Sequence, residues 1–210
     1  MKYLQTEIPW NNIKAIGFDM DGTLYDEFDF IYQVYKPISK LFSNSIEDSD
    51  LVFKKMLAKW LKKGSSYPFI FSEIATENGF ESIIVEQKTK EALTIFRNFN
   101  PVLTLSPRIK FILEEFKKNN ELFLVSDGGS ILQWNKLKAL NLENYFSREN
   151  IFISGDYGKH AQKPGLLSLE HLTVLKKEYR PNEIVFIGDR IVDENFAKNA
   201  GFYYIDQSQL

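Results

Sequence analysis

The sequence predicts an α/β protein: a doubly wound parallel sheet, interrupted near its start by an all-helical insertion. Three observations carry this reading. Short apolar runs at 13–18, 122–125 and 184–187 each end abruptly in polar residues. The segments between the later runs have apolar residues three and four apart, so strands alternate with helices, the pattern of a parallel sheet covered on both faces. Residues 26–103, by contrast, show helical spacing with no run that reads as a strand.

In order, 13–18 is too short for a helix before Gly22 and is expected as the first strand. Phe28, Ile31, Tyr32, Tyr35, Ile38, Leu41 and Phe42 mark the buried side of a helix that Pro37 should interrupt or kink. Leu51, Phe53, Met56, Leu57, Trp60 and Leu61 mark a second, capped by Asp48 or Ser49 and ended by Gly64. Residues 68–78, closed by Gly79, and 83–99, ended by Asn100-Pro101, complete the helical block. Ser106-Pro107 starts the next helix, Ser as cap and Pro in the first turn, with Ile109, Phe111, Ile112, Leu113 and Phe116 inward. Residues 122–125 form a continuous apolar run, as in a strand buried on both faces. Then follow a helix at 130–140, a strand at 151–153, a helix at 165–179 with a moderate stripe, a strand at 183–187, a helix at 192–200 ending at Gly201, and a strand at 202–205. The expected division is 1–25 with 104–210 as a discontinuous core, and 26–103 as the insertion.

Composition narrows the function. The 210 residues have 26 basic and 28 acidic side chains, a formal net charge of -2, so no basic excess points to nucleic acid or an anionic membrane. Apolar residues make up 44% and aromatic ones 15%, enough for a sizeable core. The absence of Cys removes disulfides, thiolate catalysis and Cys-based zinc sites. Residues 1–12 lack a basic stretch followed by an apolar one, so no signal peptide is expected. No apolar run approaches the ~18–20 residues of a membrane span. A cytoplasmic monomer or homodimer is expected, with neither nucleic acid nor membrane as partner.

In open α/β sheets, ligands bind beyond the carboxyl ends of the strands. The first strand ends in Asp19-Met20-Asp21-Gly22-Thr23, where alternation sets Asp19 and Asp21 on the same side. The second ends in Ser126-Asp127-Gly128-Gly129; a loop beyond the third carries Lys163-Pro164; the fourth ends in Gly188-Asp189, with Asp193 shortly after. Acids without His or Cys among them suit a hard cation such as Mg²⁺. An ionised Asp19 is a ready nucleophile. A phosphate under its attack needs charge neutralisation, which Mg²⁺ and a lysine can supply. Thr23, Ser126 and the N–H groups of the glycine turns can hydrogen-bond phosphoryl oxygens. Asp21 is placed for general acid and base work, provided it is protonated when the leaving group departs.

These residues, in this order, resemble the motifs of the haloacid dehalogenase superfamily, in its phosphatase-type branch with a helical cap after the first motif (phosphoglycolate phosphatase/β-phosphoglucomutase-like). Asp19-Met20-Asp21-Gly22-Thr23 resembles the first motif, Ser126 the second, Lys163-Pro164 the third, and Gly188-Asp189 with Asp193 the fourth. The resemblance implies a Rossmann-like core, a Mg²⁺-dependent phosphohydrolase and a small phosphorylated metabolite as substrate. It implies Asp19 as the nucleophile forming an aspartyl-phosphate, Asp21 as acid then base, and Lys163 as the neutralising cation. Thr23 and Ser126 would hold the phosphoryl group, with Asp127 and Gly128 beside them. Mg²⁺ would be bound by Asp19, the backbone carbonyl of Asp21, and Asp189, with Asp193 as ligand or support. Asp127 departs from the pattern, which often has a neutral residue there. The cap would close over the site and read the leaving group, with Tyr25, Lys36, Tyr67 and Arg97 as candidate contacts. Competing readings are a phosphotransferase or mutase of sugar phosphates, a non-catalytic phosphate-binding regulatory module, and a dehalogenase, which would lack the second acid. Taken singly, Ser126, Lys163 and Asp193 equally suit a turn residue, a surface lysine and a first-turn helix acid.

Overall fold

The computed structural model describes residues 7–43 and 45–210. The start of the expected core segment 1–25, and with it part of the stretch read for a leader, lies outside the described residues. The chain divides into two compact units: the described residues up to Glu27 together with Leu103–Leu210, and Phe28–Val102.

The first unit is built on five parallel strands, β1 (Ala15–Phe18), β2 (Glu121–Ser126), β3 (Ile151–Ile153), β4 (Ile184–Gly188) and β5 (Tyr203–Asp206), in the order β3-β2-β1-β4-β5. β1 and β4 are buried at every residue and β2 at all but its first, which is why they read as unbroken apolar runs. β1 lies at the centre because the chain winds outward to β2 and β3, then returns to add β4 and β5 on its other side. That reversal opens a crevice at the strands' carboxyl ends. Pairing sets Phe18 opposite both Leu124 and Ile187, so Asp19, Ser126 and Asp189 emerge one or two residues later from neighbouring strands. Gly17 makes this possible: a Cβ there would lie 2.2 Å from Phe123 and 2.7 Å from Phe186, two rings that cross over β1 from its neighbours.

The sheet's helices are α5 (Pro107–Lys117), α6 (Ser130–Ala139), the short α7 (Leu167–His171) and α8 (Ile191–Ala200). Ser106 caps α5, its Oγ accepting from Ile109 N at 3.2 Å, with Pro107 in the first turn. Phe111, expected inward, is 60% exposed. The helix expected over 165–179 is cut short at His171. Leu172 is extended, Leu172 and Val174 are both buried in the core, and Val174 N donates to Asn150 Oδ1 at 2.9 Å. The chain continues as a 3-10 turn at Thr173–Lys176, so tertiary packing of Leu172 and Val174 overrides a stripe that was only moderate.

The second unit holds α1 (Glu27–Ser39), α2 (Ile46–Lys63), α3 (Ile70–Glu77) and α4 (Ser82–Arg97), and among its described residues no strand. α1 runs through Pro37 to Ser39 and passes into a tighter turn at Lys40–Phe42. Its buried stripe is Phe30, Ile31, Val34, Tyr35 and Ile38, rotated from the expected one, and Tyr32 is exposed. α2 starts earlier than expected: Ser45, not Asp48 or Ser49, is the cap, accepting from Asp48 N at 3.1 Å. Leu51 and Leu61, assigned to its buried face, are 55% and 68% exposed, while Val52 and Met56 are buried. An aromatic core joins the helices: Phe30 and Phe71 each meet Phe96, at 5.2 and 6.0 Å between ring centres, and Tyr35 meets Phe71 at 5.9 Å. Gln33 fastens the end of the unit to its beginning, its amide donating to Val102 O and accepting from Val102 N, both at 2.9 Å.

Candidate active site

Beyond the ends of β1 and β4 lies a buried ion cluster. Lys163 Nζ is 2.5 Å from Asp19 Oδ1 and 2.5 Å from Asp193 Oδ1, and it donates to Val125 O at 3.2 Å. Its three N–H donors are thereby matched by three acceptors. Burial lowers the pKa of its ammonium, but Asp19, Asp193 and Asp127 together outweigh that and push it up. One cation thus faces several acids. Asp19, fully buried, is left under-compensated: burial pushes its carboxyl well above the usual range against the pull of Lys163, and Asp193 and Asp21 add to the push.

Asp19 Oδ2 is buried without a hydrogen-bond donor. Asp19, Asp189 and Asp193 each offer a carboxylate oxygen within 4.8 Å of the others. A buried anionic oxygen lacking a donor, among further oxygen ligands, has the chemistry of a hard-cation site. Asp193 is already occupied, Oδ1 by Lys163 and Oδ2 by Arg190 N at 3.1 Å, so it serves better to hold the lysine than as a ligand. Asp189 is half-buried and accepts from Thr23 Oγ1 at 3.4 Å; burial raises its pKa against the nearby Arg190. Gly22 adopts φ +79°, and a Cβ there would lie 2.3 Å from Asp189 Oδ2. Only glycine allows the turn after Asp21 to pass so close to that carboxylate.

Asp21 is held differently from Asp19. Oδ1 accepts from Lys136 Nζ at 2.7 Å and from the Tyr25 hydroxyl; Oδ2 accepts from Gln133 Nε2 at 2.7 Å. Burial, the largest single influence, would raise its pKa, but the Lys136 charge and the hydrogen bonds from Lys136, Tyr25 and Gln133 together outweigh it, and the net shift is downward. The Asp21 carboxylate in turn raises the Tyr25 phenol, which burial already pushes up. The Asp21 side chain stands outside the three-acid group. Ser126, fully buried at the end of β2, accepts from Gln133 Nε2 at 2.7 Å.

Asp127, expected beside the phosphate, turns to the lysine loop instead: its two oxygens lie 3.3 and 3.2 Å from Lys163 N. Burial raises its pKa against the attraction of Lys163. Gly128 N donates to the buried Ser154 Oγ at 3.3 Å. Of the four proposed substrate contacts, Tyr25 bonds Asp21, Lys36 Nζ sits 4.4 Å over the Tyr32 ring, Tyr67 donates to Glu73, and Arg97 is exposed. Gln133, Lys136, Ser154 and Arg190 were missed in the sequence. The signal for the first two was present: polar residues three apart on a short helix directly after Ser126 share a face with apolar Leu132 and Leu137. Arg190, beside Asp189, has a buried Nε without a partner.

Residues 16–206 match the family of haloacid dehalogenase-like hydrolases. The chain is similar to a glyceraldehyde 3-phosphate phosphatase from Pyrococcus furiosus, 26% identical over 205 residues, covering 90% of this chain and 78% of that protein. It is similar to a phosphorylated carbohydrates phosphatase from Thermotoga maritima, 24% identical over 197 residues, covering 90% and 82%. Its fold is similar to that of a HAD-hydrolase from Bacillus subtilis described as bound to magnesium, with a TM-score of 0.66 and 17% identity over 91% of this chain and 85% of that one.

Proposed function

The chain belongs to the haloacid dehalogenase-like hydrolases and is an enzyme of phosphatase type; from that premise we propose that it hydrolyses small phosphorylated carbohydrates with Mg²⁺ through an aspartyl-phosphate on Asp19. One observation carries the reading: Lys163 joins Asp19 to Asp193 while the second oxygen of Asp19 is buried without a donor. A carboxylate so placed has one oxygen for a cation and one beside an ammonium, suited to meet an anionic phosphate. The names of the relatives support the substrate class.

Asp19, Asp189 and the Asp21 carbonyl would hold Mg²⁺, which when bound neutralises charge on the nucleophile and the phosphoryl oxygens. An Asp19 oxygen forms the new bond to phosphorus as the ester P–O bond breaks, and the departing alkoxide takes its proton from the Asp21 carboxyl. Water then attacks phosphorus, gives its proton to Asp21 and releases Asp19 with inorganic phosphate. The Asp21 carboxylate, accepting hydrogen bonds on both oxygens, is in the state that takes up the water's proton; donation to the leaving group requires one of these contacts to yield. Ser126 hydrogen-bonds a phosphoryl oxygen, while Lys163, its donors held by Asp19, Asp193 and Val125 O, supplies positive charge beside the phosphate.

The test is a panel of phosphorylated metabolites with phosphate detection, with and without Mg²⁺. Mg²⁺-dependent phosphate release is expected, and transfer of the phosphoryl group to sugar in its place would favour a transferase. Asp19→Asn is expected to abolish turnover and leave folding intact; full activity in that variant would remove Asp19 as nucleophile.

A further inference from the structure

We infer that Gln133 and Lys136 are positioning residues of this reaction, locking Asp21 and Ser126 into one unit from a single buried face of α6. The inference rests on the phosphatase reading and names the residues that aim its acid–base group and one of its phosphate donors.

Gln133 and Lys136 are three apart on α6 and only 1% and 3% exposed. Burying an amide and an ammonium is costly unless both are paired, and apolar residues of similar size would fill the same space at less expense. Their partners are functional groups. Gln133 Nε2 lies 2.7 Å from Asp21 Oδ2, 2.7 Å from Ser126 Oγ and 3.1 Å from Asp127 O. Lys136 Nζ takes the other oxygen of Asp21 at 2.7 Å. Asp21 is therefore gripped at both oxygens, which fixes the plane of its carboxylate as well as its position. Ser126 has a single O–H, and because its oxygen accepts from the Gln133 amide, that hydrogen remains to be donated. Gln133 thus aims the Ser126 proton at the phosphoryl group while it aims Asp21 at the leaving oxygen. The two residues divide the work: Lys136 grips one oxygen of Asp21, and Gln133 grips the other together with Ser126.

That division is measurable with Lys136→Met and Gln133→Leu, each checked for a wild-type circular dichroism spectrum and a cooperative melt. With an alkyl phosphate such as glycerol phosphate, both should lose about 10–100-fold in kcat, within the usual contribution of a positioned acid–base group. Only Gln133→Leu should also weaken inhibition by inorganic phosphate, by about tenfold for one charge-assisted hydrogen bond. In rapid mixing with 4-nitrophenyl phosphate, whose leaving group needs no proton, Lys136→Met should release a first equivalent of nitrophenolate at the wild-type rate and Gln133→Leu at a rate lowered only by its weaker phosphate contact, and both should then turn over slowly. Equal losses in the first equivalent with both esters would overturn the inference and assign the pair to folding. So would wild-type kcat on the alkyl ester in both variants. If either variant does not fold, the pattern in the other decides. Wild-type protein that hydrolyses no phosphate ester would overturn the phosphatase reading itself, and the inference with it.

Discussion

At the scale of single residues, the site works by giving two similar acids opposite surroundings. Asp19 and Asp21 are two apart on one strand end and both buried, yet burial pushes the first up and Lys136 pulls the second down. Gly22 sits where the turn after Asp21 meets Asp189. Gly22→Ala would hold a side chain in the left-handed region, at about 1–2 kcal/mol, and press its Cβ against that carboxylate. The expected result is a lowered Tm together with a Mg²⁺ requirement raised about 10–100-fold, as for other displaced supports of a metal ligand. Titrating activity with Mg²⁺ checks this, and an unchanged half-saturation point would contradict it. Asp19 and Asp189 could be singled out in the sequence because acids at strand ends already describe a chemistry; Lys163, in a loop, was singled out only by the resemblance of Lys163-Pro164 to a motif. Gln133 and Lys136 left a weaker signal, polar residues beside Leu132 and Leu137 on one face of α6, because a buried polar helix face differs little in sequence from a solvated one. Asp127 was legible as an anomaly only; its bond to the Lys163 main chain depends on a loop conformation that spacing does not encode.

At the scale of elements, strands were easier to read than helices. β1, β2 and β4 are buried on both faces, so their apolar runs need no assumption about orientation. Helix faces in 28–102 were misjudged because aromatics are abundant there and some, such as Tyr32 at 40% exposure, lie outside the core. The caps allow sharper tests. Ser106→Ala removes the acceptor for Ile109 N and should cost about 1 kcal/mol, or about 2–4 °C in Tm for a chain this size, with kcat unchanged; an unaltered melt would show the cap to be dispensable. Between α2 and α3, Lys59 and then Tyr67 hold the Glu73 carboxyl below its usual range. A depressed carboxyl stabilises the fold above its unfolded pKa, and that share is lost as pH falls through the folded value. Glu73→Gln should therefore lower the urea midpoint at neutral pH, and the gap should close as pH falls below about 4. A gap that stays constant into acid would assign the effect to packing.

At the scale of the molecule, each unit has its own interior. The cluster around Phe123, Phe152, Phe186 and Phe196 draws only on residues of the first unit, and the rings that meet Phe96 belong to the second. β1 is the centre of the sheet, so the segment before residue 28 is indispensable to the first unit while 28–102 contributes no strand to it. Replacing 28–102 with a short glycine-rich linker is expected to leave a protein that melts cooperatively with mixed helix and strand circular dichroism; a disordered product would show that the two units fold only together. Gln33 gives this separation a history. By tying Val102 back to the first helix with both atoms of its amide, it brings the entrance and exit of the helical segment side by side. A segment that begins and ends in one place can be exchanged for another without moving either flank. The catalytic framework can then stay constant while its companion is traded, and new substrates become reachable by recombination as well as by point substitution.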